Sequence, residues 1–124
     1  MHVIAWLMVV AAVLPIVSAG LAKAGGKRFD NNAPREWLAR QEGWRARAHA
    51  AQNNGFESLP FFYAAVLYAL HTHADPRHLA VLMGAWLLTR VVYVALYVGG
   101  YGTLRSLIWA TGLVLNVVIL FSGR

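Results

Sequence analysis

The residues of this 124-residue chain that could do chemistry are cationic, phenolic and carboxylic, and they recur at helical spacing. Arg47, Asn54 and Glu57 form the first group. At about 100° per residue they fall within roughly one quadrant of a helix, with small Ala50 and Ala51 between them. Arg90, Tyr93, Tyr97 and Tyr101 form the second, at intervals of three, four and four that keep them on one helical face. Arg105 and Ser106 follow at the start of the next helix. Guanidinium groups and phenols around one acid suit a small anionic or zwitterionic ligand, whose carboxylates meet arginine and whose amine meets Glu57. A helix N-terminus beside them adds a positive end for an anion. The chain has no cysteine, so any thiol chemistry would use a thiol brought by a ligand.

Each of these side chains needs an element to hold it, and the composition says what kind. The chain is 59% hydrophobic and only 13% charged, about half the charged fraction of a soluble domain. That balance points to a single membrane domain over residues 1–124 rather than to a large soluble core. Four helices are expected, at about 3–22, 44–73, 77–98 and 104–121. Val3 to Leu21 is nearly continuous apolar sequence, long enough for a hydrocarbon core of about 30 Å. A signal peptide would carry its basic residues before such a run. Here Lys23, Lys27 and Arg28 follow it, so the reading is a retained membrane helix. Pro34 suits a first helical position, and Arg35 to Arg45, with Trp37 and Trp44, reads as a short interfacial helix. Asp75 and Pro76 read as the N-cap and first residue of the third long helix.

Seven of the eleven Lys and Arg lie between Lys23 and Arg47. In a membrane protein such a cluster sets topology, and nucleic-acid binding is the weaker reading. Both chain termini are then outside, with Lys23 to Arg47 and Arg105 on the cytoplasmic side.

Glu57 and Arg90 are the ionisable residues inside membrane helices, where each alone would cost on the order of 3 kcal/mol. Counted from His73 and Arg77 as the outer helix ends, they lie roughly 24 and 20 Å deep at 1.5 Å per residue. They are therefore expected to pair. Such a pair could serve only helix register, the tyrosines could be interfacial belt residues, and Arg105 could be a topology determinant. Their conjunction at one depth argues for a site.

These residues resemble the MAPEG family, the membrane-associated proteins of eicosanoid and glutathione metabolism. The resemblance is carried by Arg47-Ala48-His49, Asn54, Glu57 and Pro60-Phe61, by Arg90, Tyr93 and Tyr97, and by Arg105-Ser106. It implies an all-α integral membrane four-helix bundle, assembled as a homotrimer, with glutathione bound between subunits at the cytoplasmic side. By match to the family pattern, Arg47, Asn54, Glu57, Arg90, Tyr93 and Tyr97 would bind glutathione. Arg105, with Ser106 as a second donor, would stabilise its thiolate. A bacterial-type member in the inner membrane is implied, a glutathione transferase or peroxidase acting on lipophilic electrophiles from the bilayer. Ala50 and Ala51 stand where several members have a second arginine, and Trp109 stands near the place of a functional tyrosine in some.

The alternative is a non-catalytic membrane protein of the same fold. A small multidrug-type transporter is the weaker alternative, because such an exporter would place an unpaired acid on the first helix, which has none. His71, His73 and His78 beside Asp75 read as a polar turn rather than a metal site. Asn116, alone in the fourth helix, is expected to make an interhelical hydrogen bond.

Overall fold

The computed structural model describes residues 2–124. The chain forms α1 (His2–Lys23), α2 (Pro34–Ala39), α3 (Gly43–His71), α4 (Pro76–Gly99) and α5 (Gly102–Leu120), with no strand among the described residues. α1, α4 and α5 are each long and apolar enough to cross a membrane. α3 is the longest helix, but its first half is polar, as the Arg47 to Glu57 sequence requires. Large apolar side chains such as Trp6, Val81, Leu88 and Val114 stand exposed on α1, α4 and α5. Apolar surface on that scale is unfavourable in water and suits a lipid surround.

α3 and α4 pack together at the centre, with α1 and α5 each laid against both of them. The core is Phe62, Val66, Leu79, Met83, Trp86 and their neighbours. The Phe62 and Trp86 rings stack face to face at 3.8 Å. α1 meets α3 through small residues. Ala11, Pro15 and Ser18 face Ala51 and Gly55, and the Tyr63 hydroxyl donates to the Met8 carbonyl at 2.7 Å. Small residues let helix backbones approach where no water drives association. Ala51, one of the two alanines that interrupt the polar stripe, is buried in this seam, where an arginine would have no room.

At Gly55 the approach is close enough that an added Cβ would lie 2.9 Å from Pro15 Cγ. The proline ring is stiff, so Gly55→Ala must separate α1 from α3. Overpacking of this kind typically costs about 1–3 kcal/mol. A lowered midpoint in thermal unfolding of the detergent-solubilised protein is the expected result, and an unchanged midpoint would show that the seam can open freely.

The connections are tied down. The Asp75 side chain accepts from the His78 backbone N–H at 3.3 Å and Pro76 opens the helix, so α4 begins with the N-cap its sequence suggests. α4 is capped at its C-terminus by Gly100, whose φ of +82° is the left-handed conformation that glycine adopts most readily. The interfacial helix expected over Arg35 to Arg45 is shorter. α2 stops at Ala39, because the Arg40 and Gln41 backbone N–H groups turn back onto Trp37 and Leu38. The Gln41 side chain also donates to the Trp37 carbonyl. Trp37 is buried with Ala22, Leu38 and Ala48, and its indole donates to the Lys27 carbonyl at 3.1 Å. Arg45 donates to the Ala22 carbonyl at 3.0 Å, joining the start of α3 to the end of α1.

Candidate functional site

Counting down α4 from Trp86, residues 86, 90, 93 and 97 share one face, and all but Tyr97 are buried. That face looks into the angle between α3 and α5. Arg90 sits with its guanidinium 4.2 Å from the centre of the Tyr93 ring. Tyr93 meets Tyr97 edge to face at 5.6 Å. Tyr97 in turn carries the Arg105 guanidinium 4.3 Å from its ring centre. Cation, phenol, phenol and cation thus form one continuous ladder from mid-helix to the basic end of the molecule. Ring quadrupoles favour each guanidinium there without using its N–H donors.

Arg90 is 6% exposed and donates to Asn54 Oδ1 at 2.9 Å. The ion pair with Glu57 expected from matched depths is therefore not what holds Arg90. Depth is a coordinate along the helix axis, and it placed Arg90 correctly to within a turn. The Arg90 side chain lies over Tyr93, toward the C-terminal end of α4. That direction carries it to Asn54, three residues nearer the basic end than Glu57. Glu57 stays exposed on the wall of the cleft.

Three adjoining cavities take in every residue singled out as a binding or catalytic candidate. One of about 240 Å³ is lined by Asn54, Tyr93, Tyr97, Arg105, Ser106 and Trp109. A second, about 210 Å³, continues between α3, α4 and α5 past Asn54, Glu57 and Arg90 to Trp86 and Asn116. A third, about 100 Å³, holds Arg47, Tyr97, Gly100, Tyr101 and Arg105. Asn54 and Trp109 belong to the first two, and Tyr97 and Arg105 to the first and third. Residues 58 positions apart in sequence, Arg47 and Arg105, are brought to one end of the molecule.

The side chains differ in how free they are. Arg47 Nε donates to the Val98 carbonyl at 2.9 Å, so part of its fork already caps the end of α4. Ser106 donates its hydroxyl proton to the Gly102 carbonyl at 3.1 Å. It offers lone pairs to a ligand, and its proton only after rotation. α5 begins at Gly102 with no side-chain cap. Its first-turn N–H groups lack intrahelical partners and add a positive end beside Arg105.

The structure adds Trp86, Thr89 and Asn116 to the site. Trp86 was legible in principle, since it continues the Arg90 face by one further step of four. Asn116 was visible but expected to bond across helices. Instead its Oδ1 is buried with no hydrogen-bond partner among the described residues. Among the described residues no group of three or more His, Cys, Asp or Glu side chains gathers as a metal site.

A family model described as the MAPEG family matches residues 3–123, nearly the whole chain. No curated protein and no solved structure matches it.

Proposed function

The chain belongs to the MAPEG family of membrane proteins, and from that premise we propose that it is a glutathione-dependent transferase or peroxidase acting on lipophilic electrophiles. The observation that carries the reading is the cavity at the basic end, where Arg105, Tyr97, Tyr93, Ser106 and Asn54 converge. Arg105 is half-buried there and rests on Tyr97, with its guanidinium donors uncommitted to any side chain.

In this reading glutathione lies along the joined cavities. Its carboxylates take Arg47 and the N-terminal end of α5, and its ammonium takes Glu57, which Arg90 leaves free by bonding Asn54. Tyr93 and Tyr97 contact the tripeptide. Arg105 faces the sulfur. A cation beside a thiol lowers its pKa and raises the thiolate fraction, and the thiolate is the nucleophile. In transfer, the thiolate attacks an electrophilic carbon, a C–S bond forms, and the leaving group departs with the bonding pair. In peroxide reduction it attacks the O–O bond and an alcohol leaves. A second glutathione then displaces water from the oxidised sulfur to give the disulfide.

The same reading includes a homotrimer whose neighbouring subunits close the cleft. All four long helices cross a bacterial inner membrane in it, with the cluster from Lys23 to Arg47 on the cytoplasmic side. That distribution follows the positive-inside rule.

Titration of the purified protein with glutathione tests this. Heat of binding by calorimetry and a rise in ultraviolet thiolate absorbance at neutral pH are expected together. Binding without thiolate would favour a non-catalytic member of the fold, and neither signal would sink the glutathione reading altogether.

A further inference from the structure

Glu57 keeps its carboxylate free of any ion pair among the described residues, with Arg90 bonded to Asn54 instead. An acid inside a membrane helix is costly, and it is normally paired or turned to a cavity. Glu57 is exposed and lines the cavity of about 210 Å³ between α3, α4 and α5. It lines neither of the two cavities nearer the basic end, where Arg47 and Arg105 stand. Arg90 lines the same cavity as Glu57, but its guanidinium is drawn toward the basic end, over Tyr93 and onto Asn54. In the other direction the walls next to Glu57 are apolar, namely Phe61, Trp86 and Leu113. A free acid beside aromatic and aliphatic walls suits an organic cation with an apolar body. The carboxylate takes the charge, the ring faces add to that attraction, and the body fills a cavity whose few polar groups fix its orientation.

We propose that this cavity binds amphiphilic amines, with the ammonium on the Glu57 carboxylate and the aromatic or alkyl body against Phe61, Trp86 and Leu113. Binding of the amine stands apart from the proposed function and rests on it only for one consequence. Glutathione's ammonium takes the same carboxylate, so the two ligands exclude each other. They lie in opposite directions from Glu57. The tripeptide runs toward Arg47 and Arg105, and the amine runs away from them, into the apolar part of the cavity that the tripeptide leaves empty. An amine arriving from the bilayer is therefore an inhibitor competitive with glutathione. A neutral molecule of the same shape keeps the apolar contacts and loses the charge-assisted one.

The test first measures binding without glutathione, in an uncharged detergent. 2-(4-Nitrophenyl)ethylamine and 2-(4-nitrophenyl)ethanol share an aromatic body that quenches tryptophan, and at neutral pH only the amine is charged. Each is titrated into the parent, Glu57→Gln and Leu113→Trp while tryptophan fluorescence is followed. In the parent the amine should bind about ten-fold tighter than the alcohol, as one hydrogen bond to a charged group gives. Glu57→Gln should remove that preference and leave the alcohol's affinity in place. Leu113→Trp, which fills the apolar part of the cavity, should weaken both ligands several-fold. No quenching in the parent, or the same amine preference in Glu57→Gln, would overturn the proposal. If Glu57→Gln does not fold, Leu113→Trp decides, and an undiminished amine affinity there overturns it too. The amine titration is then repeated in saturating glutathione, where its apparent Kd should rise. Glutathione that binds by calorimetry and leaves the amine's Kd unchanged would overturn the shared use of Glu57. Absence of glutathione binding with the amine preference intact would remove the glutathione reading and leave the amine site standing.

Discussion

Arg105→Ala is expected to lower kcat/KM for glutathione-dependent turnover by about 10²–10³, the usual effect of removing one donor aimed at developing charge. The Arg105 guanidinium lies in the cavity with Ser106, Trp109 and Tyr97 and is held by the Tyr97 ring at 4.3 Å. Stacking leaves its N–H groups for the ligand. Its removal would take away the cation that favours thiolate over thiol. The loss should appear mainly in kcat, because Arg47, Tyr93 and Glu57 would still hold the tripeptide. Ultraviolet thiolate absorbance measures the same effect without turnover and should vanish in the variant. Arg105→Lys keeps the charge but loses the planar stack, so an intermediate activity is expected. Full activity in Arg105→Ala would move the activating role to another group.

Asn54→Leu is expected to destabilise the protein by about 1.5–3 kcal/mol, the range for a hydrogen bond to a charged group. Arg90 is buried, and its bond to Asn54 at 2.9 Å is the contact that changes. Without it a guanidinium remains inside the bundle facing apolar groups. Adding Arg90→Met to Asn54→Leu should cost less than the two single changes summed, because the second change removes the orphaned charge. Such coupling within one network typically runs about 0.5–3 kcal/mol. Glu57→Gln provides the contrast. Glu57 is exposed in the cleft, so its effect on stability without ligand should stay within about 0.5 kcal/mol, while glutathione binding weakens. Thermal unfolding of the set separates the alternatives. A large loss in Glu57→Gln with additive Asn54 and Arg90 changes would restore the Glu57–Arg90 pair.

Much of the architecture could be read directly from residue order. Apolar runs of membrane length, a polar start to α3, and Asp75-Pro76 and Gly100 as punctuation are local properties. They depend on side-chain solvation and backbone preference within a few residues. The ladder from Arg90 through Tyr93 to Tyr97 was equally local, because spacings of three and four define a helical face before any partner is known. The family motif joined Arg47 and Arg105 to that face, and the structure places them at the same end.

What the order of residues could not supply was the azimuth of one helix against another. Depth along an axis follows from counting. Whether Arg90 turns toward Glu57 or Asn54 depends on how α3 is rotated when Gly55 closes on Pro15, and on where Tyr93 offers its ring. Asn116 shows the same limit. A lone asparagine in an apolar helix needs a partner. Only the packing of Gly112 and Asn116 against α4 shows that Oδ1 is buried and meets no partner among the described residues. By itself, then, the sequence determined the membrane environment, the helices and the face that carries Arg90, Tyr93 and Tyr97, since each is settled by neighbours within a turn or two. Tertiary structure alone decided which of those side chains pair with one another and which stand unpaired along the cavities, because that depends on the rotation of packed helices about their own axes.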